Sequence, residues 1–310
     1  MTTRTLWVHR SALALAVVSA GALAGCTTAS PGVADSAPNG ATASMVDVHA
    51  VDVDDDRERL TIATHSGLLS VDLSGSPEPA APPETWGDYR GDVMGLTRVD
   101  DRFVFSGHPV AGSTDSPNVG VVTGSLDGTS WEPLALSGEA DLHSMSYSAT
   151  ESRSLLAGLD SATGVVLTSL DRGQTWNYGT AIAARDLAVD PSAEFLIATT
   201  ESGPQLSTDL GITWTVDDEA PLLFLVESGR DSSGAATMVG VDVEGSLYSS
   251  GDGLSWTSRG MLPFLPDAIG VGSNGTIAIV STQLAMVSRD GGLTWSQVAN
   301  LGLPALGGDD

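Results

Sequence analysis

Four histidines are the residues of this sequence best suited to metal binding or proton transfer. Imidazole binds transition metals and exchanges protons near neutral pH. The four lie in the first half of the 310-residue chain, at His49, His65, His108 and His143. A cluster of them predicts a metal or ligand site, and four separate histidines that each hydrogen-bond at a strand end are the alternative.

Three related tripeptides contain two of these histidines and a methionine. Asp-Val-His at 47–49 and Asp-Leu-His at 141–143 match Asp-Val-Met at 92–94. The methionine therefore holds the position of the two histidines, and its thioether would favour a softer metal. The predicted ligand-binding residues are His49, His65, Met94, His108 and His143, with the four histidines as ligands of a zinc or copper ion.

Carboxylates near the histidines favour a second chemistry. Asp92, Glu139 and Asp141 are close to the imidazoles in sequence, and pairs of carboxyl groups serve as acid and base in glycoside hydrolysis. These three are the candidate catalytic residues, with Asp88 and Asp186 as further candidates.

Six tryptophans at near-even steps define the elements that must position these side chains. Between 38 and 45 residues separate one tryptophan from the next, and three of them close the pattern Ser-x-Asp-x-Gly-x-Thr-Trp. A phrase that recurs about every 40 residues in a chain of short strands is typical of a β-propeller, with one blade per repeat. The tryptophans are Trp86, Trp131, Trp176, Trp214, Trp256 and Trp295.

Each repeat predicts four short strands bounded by Gly, Pro, Asp and Ser. We therefore predict an all-β, six-bladed propeller of four-stranded blades over residues 45–310, with seven blades as the alternative. In such a blade the start of the first strand and the end of the second share one face, and all four histidines fall there. The predicted units are 45–88, 89–135, 136–180, 181–218, 219–260 and 261–300.

The tryptophan phrase resembles the Asp-box, or BNR repeat, of sialidases, sortilin-type propellers and photosystem II assembly factor-like lipoproteins. It stands at 169–176, 207–214 and 288–295. Locally, Asp and Ser or Thr side chains bond backbone donors of the turn, Gly takes the left-handed conformation and Trp packs between blades. The residues expected to be structural for this reason are Asp171, Trp176, Asp209, Trp214, Asp290 and Trp295.

The phrases around the histidines resemble a group of bacterial lipoprotein propellers known as glycosylhydrolase-like or exo-α-sialidase-like. They are DVH at 47–49, ATHSGL at 63–68, SGHP at 106–109 and SGEADLH at 137–143. The resemblance implies a BNR propeller on a lipid anchor, and its label implies a glycosyl hydrolase. The sequence has no Arg-Ile-Pro phrase of the kind that true sialidases carry, and no clear catalytic set stands out, so enzyme activity is left open.

Three arginines form a rival set under the sialidase resemblance. Arg90, Arg185 and Arg259 each precede a predicted first strand. Three inward guanidinium groups would bind a carboxylate through paired hydrogen bonds. Solvated arginines at blade junctions are the favoured interpretation.

The first 25 residues predict a lipoprotein signal peptide. A basic start precedes an apolar stretch over 11–23, which is too short to cross a bilayer as a helix. It ends in Leu-Ala-Gly-Cys, which resembles a bacterial lipobox whose cysteine is lipidated. We therefore expect a cell-membrane lipoprotein on the extracytoplasmic face, anchored at Cys26, with residues 26–44 as the lipidated cysteine and a flexible tether.

The net charge of the chain limits the kinds of partner that the domain is expected to bind. The chain has no lysine and a formal charge of −26, so its surface repels phosphate backbones and nucleic acid is excluded. We expect a monomer whose partners are the membrane, through the lipid, and an envelope protein or a glycan. The leading hypothesis is a module that binds a metal, a small ligand or a partner protein. A sialidase-like hydrolase of surface glycans and an assembly scaffold are the alternatives.

Overall fold

The computed structural model describes residues 46–75 and 82–302. These residues belong to one compact unit, Thr42–Asp310. The predicted signal peptide, lipidation at Cys26 and tether concern residues outside the described ranges, so they stay predictions. Within those ranges, no helix has the length and apolar character needed to cross a membrane.

The predicted six-bladed propeller is confirmed. In the described ranges, twenty-four strands form six antiparallel sheets, and each sheet takes four consecutive strands in sequence order, which we number as blades one to six. Blades one to three consist of β1 (Val48–Asp54), β2 (Arg59–Thr64), β3 (Gly67–Asp72), β4 (Glu84–Trp86), β5 (Asp92–Val99), β6 (Arg102–His108), β7 (Gly120–Ser125), β8 (Trp131–Ala135), β9 (Leu142–Ala149), β10 (Ser154–Asp160), β11 (Val165–Ser169) and β12 (Asn177–Ala181). Blades four to six consist of β13 (Ala184–Val189), β14 (Leu196–Thr200), β15 (Gly203–Ser207), β16 (Thr215–Val216), β17 (Leu223–Arg230), β18 (Ala236–Asp242), β19 (Ser246–Ser250), β20 (Thr257–Met261), β21 (Ala268–Val271), β22 (Ile277–Val280), β23 (Leu284–Ser288) and β24 (Ser296–Asn300).

Burial falls from the second strand of a blade to its fourth. β2 and β22 are buried over almost their whole length, as expected for short apolar runs packed on both faces. β12 and β20 are almost entirely exposed. Because an outer strand has an unpaired edge, polar residues there also discourage pairing with another chain.

The hydrophobic core of the propeller is divided among the junctions between blades. Six clusters of buried residues lie among the described residues, and each joins two neighbouring blades. One of them packs Leu60 and Ile62 of blade one with Val280 and Val287 of blade six. The first and last blades therefore close the ring by side-chain packing, since each blade is built from its own four consecutive strands.

The turns between third and fourth strands carry the recurring phrase and support the structural role predicted for it. In blade three, Asp171 accepts hydrogen bonds from the hydroxyl of Ser169 (2.8 Å) and the backbone N–H of Thr175 (2.9 Å). Gly173 has φ +91°, and Trp176 Nε1 donates to its carbonyl at 2.9 Å. The turns at Asp209 and Asp290 repeat these bonds, with Trp214 and Trp295 in the place of Trp176. Membership of the Asp-box family stays a prediction.

The first strands surround a central channel and all begin at one end of it. We call that end of the propeller, with residues 48, 92, 142, 184, 223 and 268, the entry face, and the other end the turn face. Second strands end at the entry face, because the first two strands of each blade are antiparallel. The four histidines therefore lie at the entry face, as predicted.

Candidate metal centre

A β-bulge near the start of the first strand brings side chains to the mouth of the channel in five of the six blades. The pairing of each first strand with its second strand skips one residue there. A bulge leaves a residue unpaired and re-aims its side chain. The skipped residues are His49, Met94, His143, Arg185 and Phe224, in blades one to five.

These bulges place three of the predicted ligand-binding residues around one cavity. His49, Met94 and His143 line a cavity of about 200 Å³ at the entry face, together with Arg185 and Asp267. Met94 is 9% exposed. The tripeptides at 47–49, 92–94 and 141–143 thus occupy equivalent positions on three adjacent first strands.

His49 and His65 meet the carboxylate of Asp92 at the junction of blades one and two. We call these three residues the blade 1–2 cluster. Asp92 Oδ1 lies 3.3 Å from His65 Nδ1 and 3.8 Å from His49 Nε2, and the two imidazole nitrogens contact each other. The rings are stacked, with centroids 4.4 Å apart. One donor atom from each residue lies within 4.8 Å of the other two, the arrangement required of metal ligands.

The surroundings of His49 favour the metal-binding form of its imidazole. Burial lowers the pKa of His49, and the neighbouring His65 lowers it further, against the opposing charge of Asp92. A neutral imidazole is the form that binds a metal ion. Asp92 Oδ1 is buried and has no hydrogen-bond partner among the described residues. Buried polar atoms of this kind are rare and call for an explanation, of which an ion is one.

His108, Asp141 and His143 form a second group at the junction of blades two and three, the blade 2–3 cluster. Asp141 Oδ2 lies 2.9 Å from His143 Nε2 and 3.6 Å from His108 Nε2, and it accepts a hydrogen bond from the Ser161 hydroxyl at 2.8 Å. Burial opposes ionisation of Asp141, but the bonds from His143 and Ser161 outweigh it and hold the pKa of the carboxyl below its usual value.

The other candidate acids are not members of either cluster, although Asp186 lines the same cavity of about 200 Å³ as His49 and His143. Glu139 and Asp88 are exposed. Asp186 lines the channel and accepts hydrogen bonds from Ser144 (2.8 Å) and the backbone N–H of Val226 (2.9 Å), which connect the first strands of blades three, four and five. Its position is therefore explained by packing around the channel.

The three-arginine site is not assembled. Arg185 stands at the mouth of the channel over the ring of Phe224. Arg259 lies in the exposed outer strand β20, where Nε bonds the Ser249 hydroxyl at 2.7 Å. Its expected position before a first strand was wrong, because blade five extends to Met261 and the sixth first strand begins only at 268.

Glu227 is a channel residue that sequence reasoning did not single out. It lines a narrow space of about 50 Å³ below His49 and His143, and also the cavity of about 340 Å³ at the turn face. Burial, followed by the charges of Asp186 and Asp52, raises its pKa to about 8. The sequence feature that could have indicated Glu227 is a single acidic residue within the apolar run of a first strand.

Comparison with known proteins supports the fold. No family model matches the sequence, and neither does any curated protein. A chain in the crystal structure of a nidogen/laminin complex aligns with TM-score 0.54 at 12% identity, over 74% of this chain and 88% of that one. The GH74 enzyme of Niastella koreensis aligns with TM-score 0.48 at 16% identity, over 83% of this chain and 38% of that one. Likeness at such identities concerns the β-propeller fold alone.

Proposed function

We propose that this protein is a metal-binding β-propeller whose blade 1–2 cluster holds a divalent first-row transition ion, zinc or copper. The observation that carries the proposal is the convergence of two imidazole nitrogens on a buried carboxylate oxygen that has no hydrogen-bond partner in the described chain. Two imidazoles and one carboxylate suit these metals.

The distances from the carboxylate to the two imidazoles suit a shared ion. Donors held about 2.1 Å from a tetrahedral ion stand roughly 3.4 Å apart, and Asp92 Oδ1 is 3.3 Å and 3.8 Å from the two nitrogens that face it. The two nitrogens contact each other more closely than two ligands of one ion do, so binding would move the rings apart. Three protein ligands leave a fourth position for water or a ligand, and His49 also lines the cavity at the channel mouth. The cavity therefore provides access for a small molecule to a bound metal.

Metal content of the purified protein tests this proposal. We expect about one ion retained per blade 1–2 cluster after loading with zinc or copper(II) and dialysis, and at least a tenfold loss of affinity in His65→Ala, since one of three ligands is gone. Asp218→Asn, which changes an exposed carboxylate on blade four, should bind as the wild type does. Equal binding by the His65→Ala variant would overturn the proposal.

Hydrolysis of glycans is a second candidate function, and Glu227 is the observation that favours it. With a pKa of about 8 its carboxyl is protonated at neutral pH, the state that a general acid requires. It lines the 340 Å³ cavity at the turn face, and Asp186 is the predicted candidate carboxylate that lies near it. Release of chromophore from aryl glycosides, including sialosides, tests this function, and an activity that Glu227→Gln leaves intact would remove Glu227 from it.

A further inference from the structure

We infer that the blade 2–3 cluster is a second, independent metal site, so that the protein binds two divalent transition ions at adjacent blade junctions. The inference rests on the proposed function and extends it from one site to two. His108, Asp141 and His143 would be the ligands. Their donor atoms, like those of the blade 1–2 cluster, lie within 4.8 Å of one another.

The two clusters share one construction. His65 directly follows β2 and faces Asp92, the first residue of β5. His108 ends β6 and faces Asp141, which directly precedes β9. Each cluster therefore joins the end of a second strand to the start of the next blade. At the junction of blades three and four, Asp160 stands at the end of the second strand, where the two preceding junctions have a histidine.

The hydrogen bond at Nδ1 of His108 leaves Nε2 of the ring available to a cation. Its Nδ1 lies 3.0 Å from the carbonyl oxygen of Pro117, which only accepts, so Nδ1 carries the proton. Nε2, the other ring nitrogen, faces Asp141 Oδ2 at 3.6 Å. An ion between the two atoms would be bound by both. Donation of the second ring N–H to a carbonyl is also how proteins orient metal-binding histidines.

Asp141 supplies an independent observation. The residue is only 7% exposed, and its Oδ1 is buried without a hydrogen-bond partner in the part of the chain that the structure describes. Its Oδ2 accepts a hydrogen bond from Ser161 and is the oxygen that faces the two histidines. An ion held by both carboxylate oxygens would contact the histidines on the Oδ2 side and also give Oδ1 a partner, at a position where desolvation is expensive.

The clusters do not share a ligand. Each pair of histidines faces its own carboxylate, Asp92 in one case and Asp141 in the other. Each cluster combines a carboxylate that is largely buried with at least one histidine that solvent can reach, His65 in one case (51% exposed) and His143 in the other (39% exposed).

Zinc stoichiometry in single and double variants tests the inference. The chelator-treated protein is loaded with excess zinc, dialysed, and analysed for zinc per chain by mass spectrometry. We expect two ions in the wild type, one each in His65→Ala and His143→Ala, and none in the double variant, while Asp218→Asn keeps two. Far-UV circular dichroism checks folding. His108→Gln replaces His143→Ala should the latter fail to fold.

Each other outcome has a distinct meaning. One ion that is lost in His65→Ala and kept in His143→Ala would overturn the second site and leave the proposed function standing. One ion that is lost in both single variants would show a single shared site, which also overturns this inference alone. One ion that is lost only in His143→Ala would support the blade 2–3 cluster and overturn the blade 1–2 cluster. No zinc in the wild type would overturn both.

Discussion

Glu227 shows how strongly position within the ring alters the chemistry of a residue. In sequence it is one acidic side chain among 39. In the fold it stands where first strands from several blades converge, and burial together with Asp186 and Asp52 raises its pKa to about 8. The equivalent positions of His49 and His143 were predictable because their tripeptides repeat. Glu227 was not, because its environment is made by residues more than 30 positions away.

Replacing Glu227 tests this environment through the pH dependence of stability. The folded protein holds the Glu227 proton up to about pH 8, whereas the unfolded chain releases it near 4.5. The contribution to the free energy of unfolding is therefore fully present below pH 4.5 and is lost as the pH rises to about 8. We expect Glu227→Gln to be more stable than the wild type at pH 8, by about 1–3 kcal/mol once water in the open channel is allowed for, and nearly equal to it at pH 4.5.

Urea unfolding at both pH values measures this difference. General repulsion among the acidic residues has the same sign, so Glu194→Gln, an exposed change of the same kind, serves as the control. An equal gain at pH 8 in the two variants would mean that Glu227 titrates as a surface residue does.

Turns form the turn face of the propeller, and β-bulges position the side chains of the candidate site. The turn at 169–176 could be predicted from its phrase, since each residue type has a local partner. The bulges at His49, Met94 and His143 could not, because a bulge depends on the register between two strands and leaves no residue pattern of its own. The sequence showed only the result of the bulges, which is that His49, Met94 and His143 hold equivalent positions in three tripeptides.

Ser169 tests the strength of the turn. Its buried hydroxyl accepts the backbone N–H of Gly173 at 2.8 Å and donates to Asp171. Ser169→Ala leaves that N–H without a partner, so we expect the free energy of unfolding in urea to fall by about 1–3 kcal/mol. Leu170→Ala, in the same turn but 49% exposed, should change it by less than about 0.5 kcal/mol. Similar losses in both variants would show that the turn is stabilised by other contacts.

At the scale of the molecule, the number of blades followed from the tryptophan spacing, and the manner of ring closure did not. The sequence offers no sign of whether the last blade borrows a strand from the first. The structure closes the ring through one shared core, with Asn274 N–H donating to Asp55 (2.6 Å) and Arg289 to the carbonyl of Leu73 (3.2 Å) at its edges. Closure therefore depends on packing between the two ends of the domain.

Leu60 is the residue to remove in order to test closure. It is fully buried in the core shared by blades one and six. Leu60→Ala should lower the free energy of unfolding by about 2–5 kcal/mol, and tryptophan fluorescence and circular dichroism should still report one urea transition. Leu293→Ala, an exposed leucine of blade six, should have little effect. Separate transitions for the two probes would show that the end blades open independently of the ring.

The predicted anchoring of the molecule to a membrane concerns Cys26, which lies outside the described residues. If the cysteine is lipidated, the protein expressed in a bacterium should fractionate with membranes and incorporate labelled fatty acid. Cys26→Ser should abolish both, because no other cysteine is present to carry the lipid. Thr27→Ala should not. Retention of Cys26→Ser in the membrane fraction would contradict lipid anchoring at this residue.

The core shared by blades one and six has a consequence for biosynthesis. Blade one is made before the other five blades, yet the residues that cover its apolar face, from Ala268 to Leu301, belong to blade six. A nascent chain must therefore carry this face uncovered while blades two to five are being made. Chains in that state are prone to aggregate. Chaperones that hold unfolded segments, or export of the chain before it folds, would protect it until the final blade is complete.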